Sequence, residues 1–179
     1  MDSLRNPKGC WLECAAAALA LFCALGLNIN AFSIYIPYLT DTLQLSHSQS
    51  AGFIVLRNLF AAGGAYFAKS FYQKLEIRVG YPLTVLLCPL SLLLCAHAAG
   101  FPALCLAAAL SGLCYGLGGM YPVAILLHRW FPRHESLATG ICAASSGLAA
   151  TIGAPVLTRL VEVYSLRTAM YLEILFLLA

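Results

Sequence analysis

An arginine stands inside an apolar run at position 57, between Ile54, Val55 and Leu56 on one side and Leu59 and Phe60 on the other. A guanidinium stays charged and presents a planar fork of donors that meets a carboxylate with two parallel hydrogen bonds. Counted from the outer end of its run near Ser48 at about 1.5 Å per residue, Arg57 falls close to the middle of a hydrocarbon layer. An arginine at that depth costs about 2.5–3.5 kcal/mol on insertion scales, so it must face a protein interior and find a partner there. Two roles fit it: binding the carboxylate of an anionic ligand, or pairing with helix-end carbonyls to hold a bundle together. The polar residues that could share a binding cavity with it are Asn58 beside it, Asn30 and Tyr35 in the first apolar run, and Tyr115 and Tyr121 in the fourth. Asn28 lies two residues from Asn30 and so points to a different helix face, which leaves at most one of the two for a cavity. For tyrosines near the ends of a run, the interfacial aromatic belt is the competing explanation.

Enzymatic chemistry finds no foothold. The chain has no phosphate-binding GxxxxGK[ST] loop, no GxSxG elbow and no HExxH helix. Its eight cysteines contain no CxxC pair and lie almost entirely inside apolar runs, where they read as small packing residues. The four histidines, His47, His97, His128 and His134, sit at run ends or in loops. No metal, cofactor or nucleic-acid partner is expected. Glu173, in the last apolar run, is a candidate for proton coupling.

The elements that must position these residues are apolar stretches of membrane-crossing length. They run roughly over 11–38, 50–71, 81–99, 102–127 and 137–161, each long enough for a hydrocarbon core of about 30 Å. A sixth begins near Thr168 and reaches the last residue, Ala179, after about twelve positions. Hydrophobic residues make up 61% and charged residues 9%, against about 25% charged in a soluble domain, so most of the surface must face lipid. The expected fold is an all-α polytopic transmembrane bundle, with residues 1–179 forming one domain. Arg5 and Lys8 precede the first run, Lys69, Lys74 and Arg78 separate the second and third, and Arg129 and Arg133 separate the fourth and fifth. The loops after the first and third runs lack Lys and Arg, which places the N-terminus and the basic turns in the cytoplasm; Arg159 and Arg167 are exceptions. The first run is too long for a signal peptide and is read as a retained helix.

Small residues and prolines pattern the later runs. Gly112 and Gly116 form a GxxxG spacing that lets two backbones approach, and Gly147, Gly153 and Pro155 continue the theme in the fifth run. Pro37, Pro89, Pro122 and Pro155 each remove a backbone donor inside a span.

The turn His128, Arg129, Trp130, Phe131, Pro132, Arg133, His134, Glu135, followed by Leu137, Ala138, Gly140 and Gly147, resembles the segment between the fourth and fifth helices of major facilitator superfamily transporters. It is most similar to the monocarboxylate and oxalate:formate antiporter branch. Gly147, Gly153, Ala154 and Pro155 resemble the Gly-rich, Pro-terminated motif of the fifth helix, and Leu166–Arg167 resembles the opening of the sixth. Between the second and third helices the family's Gly-x-x-x-Asp-x-x-Gly is replaced by Ala68, Lys69, Tyr72, Lys74, Glu76 and Arg78, so the Asp and first Gly are missing. The fourth helix also lacks the arginine that proton-coupled drug exporters carry there.

The resemblance covers nearly the whole chain as an N-terminal six-helix half. It implies secondary transport of a small organic anion by alternating access, with protons as a possible second cargo. Arg57, Asn58, Asn30, Tyr35, Tyr115 and Tyr121 would meet the substrate, and Lys74, Glu76, Arg78, Arg129 and Arg133 would form a cytoplasmic gate. It also implies a C-terminal half, or a second copy, that completes the bundle in the plasma membrane. A non-transporting membrane scaffold or assembly subunit is the alternative.

Overall fold

A computed structural model describes the backbone of residues 7–131 and 134–178, and the side chains of all of these except 7–10, 13, 23–24, 28–32 and 129–130. Among the described residues the chain is helical, with no strand. The first apolar run forms α1 (Pro7–Leu21), a π-helical turn over Phe22–Leu27, and α2 (Asn28–Leu43). There follow α3 (His47–Lys74), α4 (Ile77–Ala96), α5 (Phe101–Gly118), α6 (Met120–Trp130), α7 (Glu135–Val163) and α8 (Leu166–Leu178). By length and apolarity α3, α4, α7 and the pair α5–α6 read as one span (Phe101–His128) can each cross a membrane. α8 contributes 13 residues, about 20 Å of helix at 1.5 Å per residue.

Local signals explain the boundaries. Leaving α2, Gln44 adopts a left-handed conformation (φ 51°), and its N–H returns to the Thr40 carbonyl. Ser46 then opens α3 with a capping box: its hydroxyl accepts from the Gln49 N–H at 3.2 Å, and the Gln49 side chain accepts from the Ser46 N–H at 2.9 Å. Pro102 sits in the first turn of α5, where a missing N–H does no harm. Pro122 acts differently. Its absent N–H would have reached the carbonyl of Gly118, and the helix breaks at Gly119 (ψ −137°) between α5 and α6.

The tightest helix pair is α3 with α5. A Cβ on Gly112 would run into the Arg57 carbonyl, and one on Gly116 into the Ala61 carbonyl; Gly64 on α3 faces the Gly116 Cα from the other side, 3.2 Å from where its own Cβ would stand. α4 packs on the far side of α5 and carries α8. α7 packs along α1 and the π turn, where a Cβ on Gly26 would overlap Ala149, and one on Gly153 would lie 2.9 Å from Leu27 Cδ2. Widening a helical turn disturbs the regular ladder. Just before the π turn, the Ala18 carbonyl accepts the Ser145 hydroxyl at 2.8 Å, a proton Ser145 shares with its own helix at Cys142 (2.6 Å).

Two apolar cores result among the described residues. The larger joins Tyr35, Leu39, Phe53, Leu92, Leu104, Leu157 and Met170. The smaller gathers Cys14, Leu21, Val123, Leu127, Phe131 and Cys142 at the end bearing the α6–α7 turn. There Trp11 meets the Phe131 ring edge-on at 5.5 Å, and the Cys14 and Cys142 thiols lie 4.0 Å apart.

Candidate functional site

Where α3 meets the break between α5 and α6, a cavity of about 460 Å³ opens, lined by Asn58, Ala61, Ala65, Tyr115, Met120 and Tyr121. The glycine contacts of the α3–α5 pair create it. Because Gly116 lets the backbones touch, the large side chains one residue to either side of the seam, Asn58 on α3 and Tyr115 on α5, are turned outward onto a common face. Arg57 is half-buried beside Asn58, engages groups within the protein, and lies in electrostatic range of Tyr115. The structure thus brings Arg57, Asn58, Tyr115 and Tyr121 to one place.

Tyr35 is elsewhere. It is fully buried (0% exposed), and its hydroxyl donates to Glu173 Oε2 at 2.7 Å, inside the larger core. A cavity role for Tyr35 is therefore replaced by an internal one, because α2 turns that face toward α8 rather than toward α3. The side chain of Asn30 lies outside the described residues, as do those of Arg129 and the whole of Arg133.

At the end of the bundle with the α3–α4 and α6–α7 turns, Lys74, Glu76 and Arg78 are exposed. Glu76 and Arg78 border a second cleft of about 480 Å³ with Tyr72, Ile77 and Ile125. Across the α6–α7 turn, His128 Nδ1 and Glu135 Oε2 are 2.8 Å apart, both solvent-accessible.

Tyr72 links the two clefts, and the sequence pattern did not single it out for this. Its hydroxyl donates to the Leu117 carbonyl at 3.1 Å and lies 3.4 Å from the Thr84 hydroxyl, while its ring stacks on Tyr121 at 6.2 Å. The break at Gly119 exposes helix-end carbonyls within the span, and a buried carbonyl without a donor is costly. Pro122 was the available signal: it announces a break in the helix, and a break frees carbonyls, Leu117's among them, that a neighbouring donor has to serve. Of the packing residues, Gly112, Gly116 and Gly153 lie at close approaches. Gly147 does not, since a Cβ there would meet nothing within 4 Å among the described residues, and Pro155 is exposed.

A bundle of apolar, membrane-length helices with a half-buried arginine beside a cavity between α3 and the α5–α6 break defines an integral membrane protein. The family model described as Major Facilitator Superfamily matches residues 17–179. The chain belongs to that superfamily, whose members are membrane transporters rather than enzymes. No curated protein matches the sequence.

Proposed function

We propose that the chain forms the N-terminal half of a secondary transporter for a small organic anion of the monocarboxylate kind, in the branch with the oxalate:formate antiporters. The cavity lined by Asn58, Tyr115 and Tyr121, with Arg57 next to Asn58 in the chain and in electrostatic range of Tyr115, carries the reading. A guanidinium near the midplane supplies the charge, and the amide and phenols supply hydrogen bonds that orient a carboxylate. A cavity of about 460 Å³ falls within the roughly 300–1,000 Å³ of small-molecule sites.

Carrying an anion against a negative interior costs about 2.3 kcal/mol per charge per 100 mV. A co-transported proton or a counter-transported anion removes that cost, and either fits this site. Alternating access requires a second six-helix unit, a C-terminal half or another copy, rocking against this one. In the plasma membrane, with the N-terminus cytoplasmic, Lys74, Glu76, Arg78, Arg129 and Arg133 lie on the inner side and form the gate. Gly112, Gly116 and Gly153 keep the moving helices close-packed.

The test is uptake of labelled small mono- and dicarboxylates by proteoliposomes holding the full-length protein. Saturable uptake that is lost in Arg57→Ala, at unchanged expression, is the expected result. Uptake that persists unchanged in that variant removes Arg57 from the site.

A further inference from the structure

Arg78 stands where two hollows meet. On one side is a groove of about 330 Å³ between α1, α4 and α6, with a mainly apolar wall that includes Ala16, Ala20, Pro82, Val123 and Leu126. On the other is the cleft of about 480 Å³ at Tyr72 and Glu76, whose wall is more polar than apolar. Ile77 and Arg78 line both.

The two charges of the cleft are not spent inside the protein. Glu76 is the N-cap of α4, yet its side chain makes no capping hydrogen bond. Neither Glu76 nor Arg78 forms a salt bridge among the described residues. Side chains two positions apart do not meet on a helix, so the carboxylate and the guanidinium stand separately in the cleft. A cation in the first turn also opposes the helix dipole, so α4 itself gains nothing from Arg78.

The charges and the groove together limit the occupant. An inorganic anion would meet repulsion from Glu76, and a metal cation repulsion from Arg78; a molecule carrying both signs of charge matches the pair. α4 is long and apolar enough to cross the membrane from Ile77 to Ala96, which sets Arg78 at the end of a span, at the depth of lipid headgroups. A soluble zwitterion would leave the apolar groove empty, whereas a phospholipid offers a headgroup to the cleft and hydrocarbon to the groove. From Leu126 to Pro122 the groove rises about 6 Å, room for the beginning of one acyl chain. Hydrocarbon gains little by leaving lipid for an equally apolar helix surface, so the headgroup decides which lipid is held. A primary ammonium donates up to three hydrogen bonds to a carboxylate, and a trimethylated one donates none.

We propose that the junction at Arg78 is a binding site for a phospholipid with a primary-ammonium headgroup: its phosphate on Arg78, its ammonium on Glu76, and the start of one chain in the groove between α1, α4 and α6. None of these residues lines the cavity of Asn58 and Tyr115. Glu76 and Arg78 belong to the proposed cytoplasmic gate, but lipid binding is measured without transport, so its failure leaves the anion reading untouched.

The experiment is native mass spectrometry of the full-length protein, delipidated in detergent and titrated with phosphatidylethanolamine, phosphatidylcholine or phosphatidylglycerol of identical acyl chains. Wild type is compared with Glu76→Gln, Arg78→Gln and Ala16→Phe, three changes at exposed positions. Saturable binding of phosphatidylethanolamine is expected, about tenfold or more tighter than of the other two lipids, the worth of one hydrogen bond to a charged group. Glu76→Gln should bring phosphatidylethanolamine down to the level of phosphatidylcholine. Arg78→Gln should weaken both of those lipids by a similar factor, since both carry the phosphate. Ala16→Phe fills the groove, leaves the charges in place, and should weaken all three. Equal affinity of wild type for the three lipids, discrimination that survives Glu76→Gln, or unchanged binding by Ala16→Phe overturns the proposal. So does displacement of the lipid by millimolar glycerophosphoethanolamine, which would make the site one for a soluble zwitterion.

Discussion

A single methyl group added at Gly116 tests the geometry on which the anion cavity depends. The new Cβ in Gly116→Ala would press on the Ala61 carbonyl and stand 2.7 Å from the Ala65 nitrogen and 2.9 Å from the Gly64 Cα. Ordinary non-bonded contact needs about 3.5–4.0 Å. Every one of those atoms belongs to the α3 backbone, so no side chain can rotate away. The helices must separate by about 1 Å, and a gap of that size forfeits a quarter to a half of each contact's dispersion energy. Overpacking of this kind costs about 1–3 kcal/mol, and rigid backbone neighbours put Gly116→Ala toward the upper end.

Gly63→Ala is the control. It lies on the same helix pair, its Cβ would meet nothing within 4 Å among the described residues, and replacing a mid-helix glycine by alanine gains about 0.5–1 kcal/mol. Denaturant unfolding of the purified protein in mixed micelles reads both stabilities, and anion uptake reads the cavity. The expected order is Gly63→Ala, wild type, Gly116→Ala, with uptake reduced only in the last. Equal stability of the two alanine variants would refute the close-packed seam, and with it the account of why Asn58 and Tyr115 share a face.

Arg57→Lys should retain a fraction of the uptake that Arg57→Ala loses, with a raised KM, because an ammonium keeps the charge but not the two-pronged geometry; full activity in the lysine variant would show that charge alone suffices. Tyr72→Phe removes the donor to the Leu117 carbonyl and should lower thermal stability by about 0.5–1.5 kcal/mol, while a simple ring-stacking role for Tyr72 predicts no change. Tyr35→Phe strips the donor from Glu173. In a double-mutant cycle with Glu173→Leu, which removes the acceptor, unfolding should reveal a coupling of about 0.5–3 kcal/mol, and additive effects would separate the two residues energetically.

Hydropathy marks candidate runs because lipid demands long apolar segments whatever their neighbours are. It expected runs at 50–71 and 137–161, and the helices His47–Lys74 and Glu135–Val163 extend each by a few polar residues that caps and turns recruit. What it could not register is backbone geometry. The π turn at Phe22–Leu27 and the break at Gly119 both fall in segments as apolar as their surroundings, so an average over composition passes through them unchanged.

The candidate site divides along the same line. Arg57 stood out in sequence since a charge in hydrocarbon has few excuses, and its neighbour Asn58 lines one cavity with Tyr115 and Tyr121. Tyr35 was indistinguishable from them in sequence, because a tyrosine that lines a cavity and one that serves a buried acid look alike until the acid's position is known. Glu173 lies 138 residues farther along the chain. Gly147 and Gly116 sit in similar patterns of small residues, yet only Gly116 touches another backbone. Spacing describes what a helix face permits; the partner decides whether the permission is used.

The interruption at Gly119 turns α6 into a lever. Its 11 residues extend about 16 Å from a fulcrum one residue long, so a tilt of about ten degrees displaces the far tip by roughly 3 Å. Tyr121 sits next to the fulcrum and hardly travels, whereas His128 at the tip sweeps the full arc with its tie to Glu135. A small rearrangement beside Tyr121 is thereby magnified at the α6–α7 turn, and Tyr72, clasping Leu117 on the stationary side, keeps the pivot from drifting.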